Sequence, residues 1–164
     1  MADWRAATRD DEAFLYALFA EDRRAQMPGV EGNALQMLID MQYRGRAMSY
    51  AREYPEAKEW ILLNAEGNAA GHLLLDRRAQ SWRIVDLAVA QAHRGQGMGM
   101  RALHQCQRQA ADAGCDLALQ VAPGNPARRL YERLGFYAVR EDAVTVEMVW
   151  NAAEEEQPSG DVLE

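Results

Sequence analysis

An apolar stretch that runs into alternating glycines, DLAVAQAHRGQGMGMRAL (residues 86–103), constrains this chain more than any other segment. Each glycine loses backbone entropy on folding, so Gly95, Gly97 and Gly99 need a physical reason. A tight strand-to-helix turn exposes the first N–H groups of the helix, where the positive end of the helix dipole favours phosphate. Glycine lets the backbone approach a phosphate closely and adopt positive φ. The pattern therefore predicts a phosphate-binding turn between a strand and a helix.

The spacing and surroundings of these glycines narrow the ligand. G-x-G-x-G is neither the dinucleotide-binding G-x-G-x-x-G nor a P-loop, so we expect a pyrophosphate site of another kind, with a glycine turn that binds nothing as the alternative. No Asp or Glu occurs from Leu87 to Ala110, whereas Arg94, Arg101 and Arg108 do, although the formal net charge of the chain is −7. A basic segment in an acidic protein favours a small anionic ligand and argues against nucleic-acid binding.

Length and composition suit one compact domain. We assign residues 1–150 to it, and we expect the acidic end, NAAEEEQPSGDVLE (151–164), to be a flexible tail. No apolar run is long enough to cross a bilayer and the first residues lack a signal-peptide pattern, which predicts a cytoplasmic protein without membrane contact. Cys106 and Cys115 have neither disulfide nor metal-site spacing and are expected to be reduced structural thiols.

Apolar periodicity predicts four helices. Thr8 and Asp11 resemble a capping box that opens the first helix, and the second helix is expected to end before Pro55. The third follows the glycines, and the fourth is short and closed by Gly135. The apolar positions expected on their buried sides are, in chain order, Phe14, Leu15, Leu18 and Phe19; Leu35, Leu38 and Ile39; Met100, Leu103, Cys106 and Ala110; and Ala127, Leu130, Tyr131 and Leu134.

Short apolar or alternating runs between these helices predict strands, with WRIVDLAVA apolar enough to be a central strand covered on both faces. Taken together, the strands and helices predict a mixed α/β sheet domain. The predicted strands are an edge strand within residues 3–8, EWILLN and AAGHLLLD joined by a turn at Gly67, WRIVDLAVA, CDLALQVA, and a final hairpin of residues 136–139 and 144–149.

Two stretches resemble the signatures of one family, the GNAT superfamily of N-acetyltransferases. LAVAQAHRGQGMG looks like its acetyl-CoA signature, R/Q-x-x-G-x-G/A, with Arg94, Gly97 and Gly99 at the defining positions. NPARRLYERLGF resembles the second signature, and together they cover roughly residues 82 to 136. The resemblance implies the GNAT acyltransferase fold, an α/β (α+β) domain with a mixed, mostly antiparallel sheet and flanking helices. It also implies acetyl-CoA as co-substrate and no metal.

The resemblance implies cofactor-binding roles. Backbone groups near the end of the central strand would bond the pantetheine amides, and one N–H there would polarise the thioester carbonyl. The amides of the glycine turn would hold the pyrophosphate, with charge from Arg94 and with Arg128 or Arg129 near the adenosine 3′-phosphate. Asn125, one residue nearer Tyr131 than is commonest, would contact the cofactor arm. The implied residues are Leu87, Ala88, Val89, Arg94, Gly95, Gln96, Gly97, Met98, Gly99, Asn125 and Arg128.

Two residues are candidates for catalysis. Tyr131 matches the tyrosine that this family places near the CoA sulfur, where a phenol hydrogen-bonds the departing thiolate; it also fits its helix as a core aromatic. Asp86 is the only acid from Ile84 to Ala90, so it either faces the acceptor or pairs with a structural cation. By the same resemblance, Gln120 stands where N-terminal protein acetyltransferases related to the ribosomal-protein enzymes carry a glutamate base. A side-chain amide takes up no proton, so Gln120 does not serve as that base. Deprotonation through water or bulk solvent stays open.

The other polar candidates lack a site pattern. His72, His93 and His104 have no spacing that suggests a metal site and are expected to be structural or exposed. By resemblance, the segment Glu21–Tyr54 borders the acceptor channel, and a homodimer is possible from family habit.

The sequence therefore predicts an acetyl-CoA-dependent N-acetyltransferase. Its expected acceptor is a primary amine on a small molecule, which attacks the thioester directly in a ternary complex. A protein or peptide N-terminus is the second enzymatic alternative, disfavoured by Gln120. An alternative of another class is a CoA-binding regulatory module without turnover.

Overall fold

The computed structural model describes residues 3–78 and 80–152, so most of the expected acidic tail, from residue 153 on, lies outside the described residues. Helices and strands follow one another in the order that the sequence predicts. They are, in chain order, β1 (Trp4–Ala6), a 3₁₀ turn (Arg9–Asp11), α1 (Glu12–Gln26), α2 (Gly32–Glu53), β2 (Lys58–Leu63), β3 (Ala69–Arg77), β4 (Ser81–Val89), a 3₁₀ turn (Gln91–His93), α3 (Met98–Asp112), β5 (Asp116–Val121), α4 (Ala127–Arg133), β6 (Tyr137–Glu141) and β7 (Val146–Trp150).

The strands form a seven-stranded sheet in the order β1-β2-β3-β4-β5-β7-β6. The β1–β2, β5–β7 and β6–β7 pairs are antiparallel and the β4–β5 pair is parallel, which confirms the expected mixed, mostly antiparallel sheet. The described chain divides into two compact units. The first runs up to Leu74 and includes Asp86–Met98, and the second comprises Leu75–Val85 and the residues from Gly99 on. No helix in the described part of the chain is long and apolar enough to cross a membrane.

In the first unit, the predicted capping box fixes the start of the first helical segment. The Thr8 hydroxyl accepts a hydrogen bond from the Asp10 N–H at 3.2 Å, and the Asp11 carboxylate accepts one from the Thr8 N–H at 2.8 Å. Arg5 pairs with the same carboxylate at 2.8 Å, and this pair lowers the pKa of Asp11 to about 2. The helical region therefore begins where the sequence indicates, with a 3₁₀ turn before α1.

Helices α1 and α2 of the first unit pack through a small apolar core. Phe19 and Ile39 are buried there together with Ala20. Tyr43, from the adjacent turn of α2, meets the Tyr16 ring edge-on at a centroid distance of 5.2 Å. The apolar stripes predicted for these helices thus supply the contacts that hold them together.

A close backbone approach joins β3 and β4 in the first unit at Gly71. A Cβ built on this residue would lie 2.5 Å from the Ala88 carbonyl oxygen and 3.1 Å from the Val89 Cα. The Ala90 N–H donates to the Ala70 carbonyl at 2.8 Å immediately beside it. Glycine is therefore required at this position by space.

In the second unit, β4 pairs with β5 from Ser81↔Asp116 to Ile84↔Leu119, and β4 itself continues to Val89. Leu103, Cys106 and Ala110 of α3 are fully buried, as their spacing predicts. Burial raises the pKa of the Cys106 thiol to about 12. Cys115 is also buried, and both cysteines carry reduced thiols.

Two sequence-based expectations are wrong in the second unit. Periodicity predicts Met100 on the buried side of α3, but the residue is 40% exposed, because it lies in the first turn at the edge of the buried face. Alternation predicts that Val144 begins the last strand, but it is 73% exposed, since β7 starts at Val146. The Asp142 carboxylate accepts hydrogen bonds from the N–H groups of Val144 and Thr145, both at 2.8 Å, which holds this segment in a turn.

Two glycine-to-alanine substitutions test how backbone approach limits this fold. Gly71→Ala places a methyl group against the Ala88 carbonyl and should lower the free energy of unfolding by about 2 kcal/mol or more. The control is Gly45→Ala in the interior of α2, where a Cβ meets nothing within 4 Å. That variant should raise the free energy of unfolding by about 0.5–1 kcal/mol, because alanine favours helix. Urea denaturation measures both; equal effects of the two variants would contradict the steric argument.

Candidate active site

The strand, turn and helix predicted around the glycines are present. β4 ends at Val89, a 3₁₀ turn spans Gln91–His93, and α3 starts at Met98. Gly95 has φ +80° and Gly97 has φ +75°, a conformation that L side chains rarely adopt. A Cβ at Gly95 would meet no atom within 4 Å. Glycine is therefore needed at this residue for its backbone conformation, and the space above it is open to a ligand.

Side chains tie this turn to its surroundings. The Arg94 Nε–H donates to the Val89 carbonyl at 3.1 Å, so the exposed guanidinium lies back toward the end of β4. The Gln91 N–H donates to the Glu21 carboxylate of α1 at 2.8 Å. Gln96 and Gly97 are exposed, whereas Met98 is 6% exposed and anchors the start of α3. The turn therefore exposes backbone groups and the Arg94 guanidinium to solvent, between the end of β4 and the buried Met98.

Asp86 pairs with two cationic side chains, which corresponds to one of the two alternatives that the sequence left open. Its Oδ2 accepts from the Arg46 guanidinium of α2 at 2.5 Å and contacts the His72 Nε2 of β3 at 2.8 Å. These charged partners keep the pKa of Asp86 below its ordinary value despite burial. Leu87, Ala88 and Val89 follow it, each partly buried. The carboxylate is therefore ionised and held in place.

His72 joins two carboxylates and is more than a packed core residue. Its Nε2 faces Asp86, and its Nδ1 faces the carboxylate of Glu59 from β2. An imidazole donates from both nitrogens only when it is protonated. The two carboxylates accordingly raise the pKa of His72 to about 9, although burial alone would lower it. The expectation that His72 is structural is thus confirmed in part: it is buried, and it carries a charge.

A cavity of about 80 Å³ adjoins this cluster within the first unit. Glu59 and His72 line it together with Arg46. The remaining lining residues are Leu15, Tyr43, Ala47, Tyr50 and Leu74. The lining thus combines two tyrosine rings with the Glu59 carboxylate and two cationic side chains, Arg46 and His72.

The other site candidates belong to the second unit. Tyr131 is partly buried, and its ring meets Phe136 edge-on at a centroid distance of 6.0 Å. The Asn125 side chain accepts a hydrogen bond from the Ala127 N–H at 2.9 Å, at the first residue of α4. Arg128 binds the carboxylates of Glu132 and Glu141 at 3.2–3.4 Å. A phosphate at Arg128 would therefore compete with two acids, whereas Arg129 is exposed.

Sequence reasoning missed Glu59 and Arg46 because their partners are remote along the chain. Glu59 is 13 residues from His72, and Arg46 is 40 residues from Asp86. A signal existed nonetheless: GHLLL and IVDLAV each place one polar side chain inside an apolar strand. Two such residues on consecutive predicted strands indicate a buried pair. Within the described residues, no group of His, Cys, Asp and Glu is arranged to hold a metal ion.

The titration of His72 gives a prediction for stability. Because the folded state raises its pKa from 6.5 to about 9, the imidazolium stabilises the fold fully below pH 6.5, and this contribution is lost as the pH rises through 9. The difference in free energy of unfolding between the wild type and His72→Gln should therefore fall by on the order of 3 kcal/mol over this window. Urea denaturation at a series of pH values measures it. The control is His104→Gln, which replaces an exposed histidine on α3. If the difference for His72→Gln did not depend on pH, His72 would not be protonated in the folded state.

Solved structures share this fold over nearly their whole length. PaiA N-acetyltransferase from Thermoplasma acidophilum, in complex with coenzyme A, superposes with a TM-score of 0.70 at 15% identity, covering 92% of this chain and 99% of that one. A spermidine N-acetyltransferase SpeG chimera from Vibrio cholerae and hSSAT gives 0.64 at 18%, covering 92% and 95%. An acetyltransferase from Thermus thermophilus gives 0.63 at 20%, covering 90% and 94%.

The sequence itself matches a family model. The model described as the Acetyltransferase (GNAT) family aligns with residues 13–136, which include the glycine turn and both stretches that resemble the family signatures. The chain is therefore a member of the GNAT family of acetyltransferases.

Proposed function

We propose that this protein transfers the acetyl group of acetyl-CoA to a primary amine of a small molecule, by direct attack in a ternary complex. The observation that carries the proposal is the turn after β4, where Gly95 and Gly97 adopt positive φ and the space above Gly95 is open. Membership of the GNAT family supports the same conclusion, and a protein of this fold has been solved with coenzyme A.

The cofactor-binding residues follow from this turn. The amides from Gly95 to Gly99, with those of Gln96, Gly97 and Met98 among them, bind the pyrophosphate at the positive end of α3. Arg94 adds positive charge. The backbone from Leu87 to Val89, which lies beyond the last β4–β5 pair at Ile84, binds the pantetheine amides and polarises the thioester carbonyl. Asn125 and Arg128 have weaker support, because each already binds groups of the protein.

Acetyl-CoA supplies the acetyl thioester: the neutral amine forms the C–N bond, the C–S bond breaks, the thiolate leaves, and the proton that the nitrogen loses on becoming an amide passes through water to the thiolate. Tyr131 donates a hydrogen bond to that thiolate. A phenol with a pKa near 10 is a weak acid toward a thiolate whose acid has a pKa of roughly 8.5, so stabilisation by the hydrogen bond is the main effect.

The acceptor must also lose a proton before attack. Asp86 keeps its pKa below the ordinary value, so its carboxylate binds an ammonium group more effectively than it removes a proton. His72 is already protonated at neutral pH and does not serve as the base there. The ammonium is therefore bound by Asp86 and releases its proton to water.

A pair of glycine substitutions tests the cofactor site. Gly95 (φ +80°) and Gly67 (φ +84°, in the β2–β3 turn) have the same backbone strain, and a Cβ at either meets nothing within 4 Å. Alanine at each should therefore lower the free energy of unfolding by about 1–2 kcal/mol. Only Gly95→Ala should also weaken CoA binding, by at least about tenfold, measured by calorimetry. Equal CoA affinities for the two variants would remove this turn from the cofactor site.

The activity itself is tested by thiol release from acetyl-CoA with a panel of small primary amines. Tyr131→Phe should lower kcat by about a hundredfold, with cofactor affinity nearly unchanged. Tyr137→Phe removes a hydroxyl that binds Asn151 and is the control. An unchanged kcat in Tyr131→Phe would reject its role. Tight CoA binding without release for any amine would favour a regulatory module, and release with N-terminal peptides alone would favour a protein acceptor.

A further inference from the structure

Arg46 occupies a site built to hold a cation. Its guanidinium bonds to the Asp86 carboxylate at 2.5 Å. It also lies over the ring of Tyr50, 5.3 Å from the centroid, and over the ring of Phe19, at 4.9 Å. A carboxylate with aromatic ring faces around it is the arrangement by which proteins recognise organic cations.

Arg46 also stands between this carboxylate and the cavity of the first unit. Arg46, Tyr50 and His72 line the cavity, whereas Asp86 does not. Both side chains that bond to the Asp86 Oδ2 are thus lining residues. A ligand that enters this cavity reaches Asp86 only if Arg46 or His72 moves.

Of these two side chains, Arg46 is the more exposed one. His72 is buried and is held at both ring nitrogens, by Glu59 and by Asp86. Arg46 is 28% exposed at its side chain and extends from the surface helix α2 through rotatable methylenes. A change of its side-chain torsions would open the carboxylate without moving the backbone.

The charges of the cluster specify what would replace it. Glu59 and Asp86 are negative, and His72 and Arg46 are positive, so the four together are neutral. Without Arg46 the cluster carries one net negative charge in a site lined by aromatic rings. A single positive charge neutralises it, whereas a polycation would bring unmatched charge into a small space.

We infer that Arg46 is an internal substitute for the acceptor, and that a monocationic primary ammonium binds Asp86 against the Tyr50 ring after Arg46 has turned away. The identification of this cation as the acetyl acceptor rests on the proposed function; the cation site itself does not. An ammonium bound there contacts Asp86, the residue immediately before Leu87–Val89. The proposed function places the thioester carbonyl against the backbone of Leu87–Val89. Arg46 is then a specificity-determining residue that selects small monocations.

The test measures cation binding without acetyl-CoA. Arg46→Ala should bind ethylammonium and methylguanidinium saturably, at least about tenfold more tightly than the wild type, as monitored by NMR shifts of the Tyr50 ring and the His72 imidazole. Adding Asp86→Asn to Arg46→Ala should abolish this gain. Arg44→Ala, an exposed arginine on the same helix, should behave like the wild type. Arg46→Gln, which removes the charge but keeps part of the aliphatic stem and a polar end group, provides a second variant if Arg46→Ala does not fold.

The outcomes separate this inference from the proposed function. Absence of binding in the folded Arg46 variants, or equal binding with and without Asp86→Asn, overturns the cation site. Cation binding in a protein that acetylates no amine supports the site while it rejects the proposed function. In the active enzyme, Arg46→Ala should lower the KM for small monoamines several-fold, and a raised KM overturns the assignment of Arg46 as a competitor of the acceptor.

Discussion

The first unit depends on the two ion pairs that the His72 imidazolium forms with Glu59 and Asp86. The imidazolium stands on β3 with a carboxylate at each ring nitrogen, one from β2 and one from β4. Neither acid would be stable in this partly buried position without a cation, and the buried imidazole would not stay charged without the acids. Removing any one member leaves an uncompensated charge. The side chains of three neighbouring strands are thereby joined by charge as well as by their backbone ladder.

β4 brings two different sites into succession along the chain. Asp86 belongs to the ion cluster, and the residues after it, Leu87 to Val89, lead directly into the glycine turn. The Arg94 side chain donates a hydrogen bond from that turn to the Val89 carbonyl and so ties the turn to the end of β4. Gly71 lets β3 approach the same stretch at Ala88. The continuous stretch from Asp86 through the glycine turn therefore fixes the distance along the chain between the ion cluster and the proposed phosphate-binding turn.

Local patterns predicted the fold well, and they predicted pairing across the sheet poorly. Thr8, Gly67 and the glycines after β4 act on their immediate neighbours, so their effects are visible in the sequence. The partners of Asp86 come from β3 and α2, and no local rule connects them. The errors at Met100 and Val144 arise at the ends of elements: Met100 lies at the edge of the buried face in the first turn of α3, and Val144 continues the apolar alternation outside β7, which begins at Val146. The roles of Tyr131 and Arg94 depend on a bound cofactor, and they stay predictions.

The placement of the cysteines has a practical consequence for enzymology. Both sulfur atoms lie inside the protein, and the thiol of Cys106 holds its proton far above neutral pH. Disulfide-exchange dyes react with exposed thiolates. A colorimetric reagent added to the native protein should therefore report the coenzyme sulfhydryl liberated during turnover, with little background from the polypeptide.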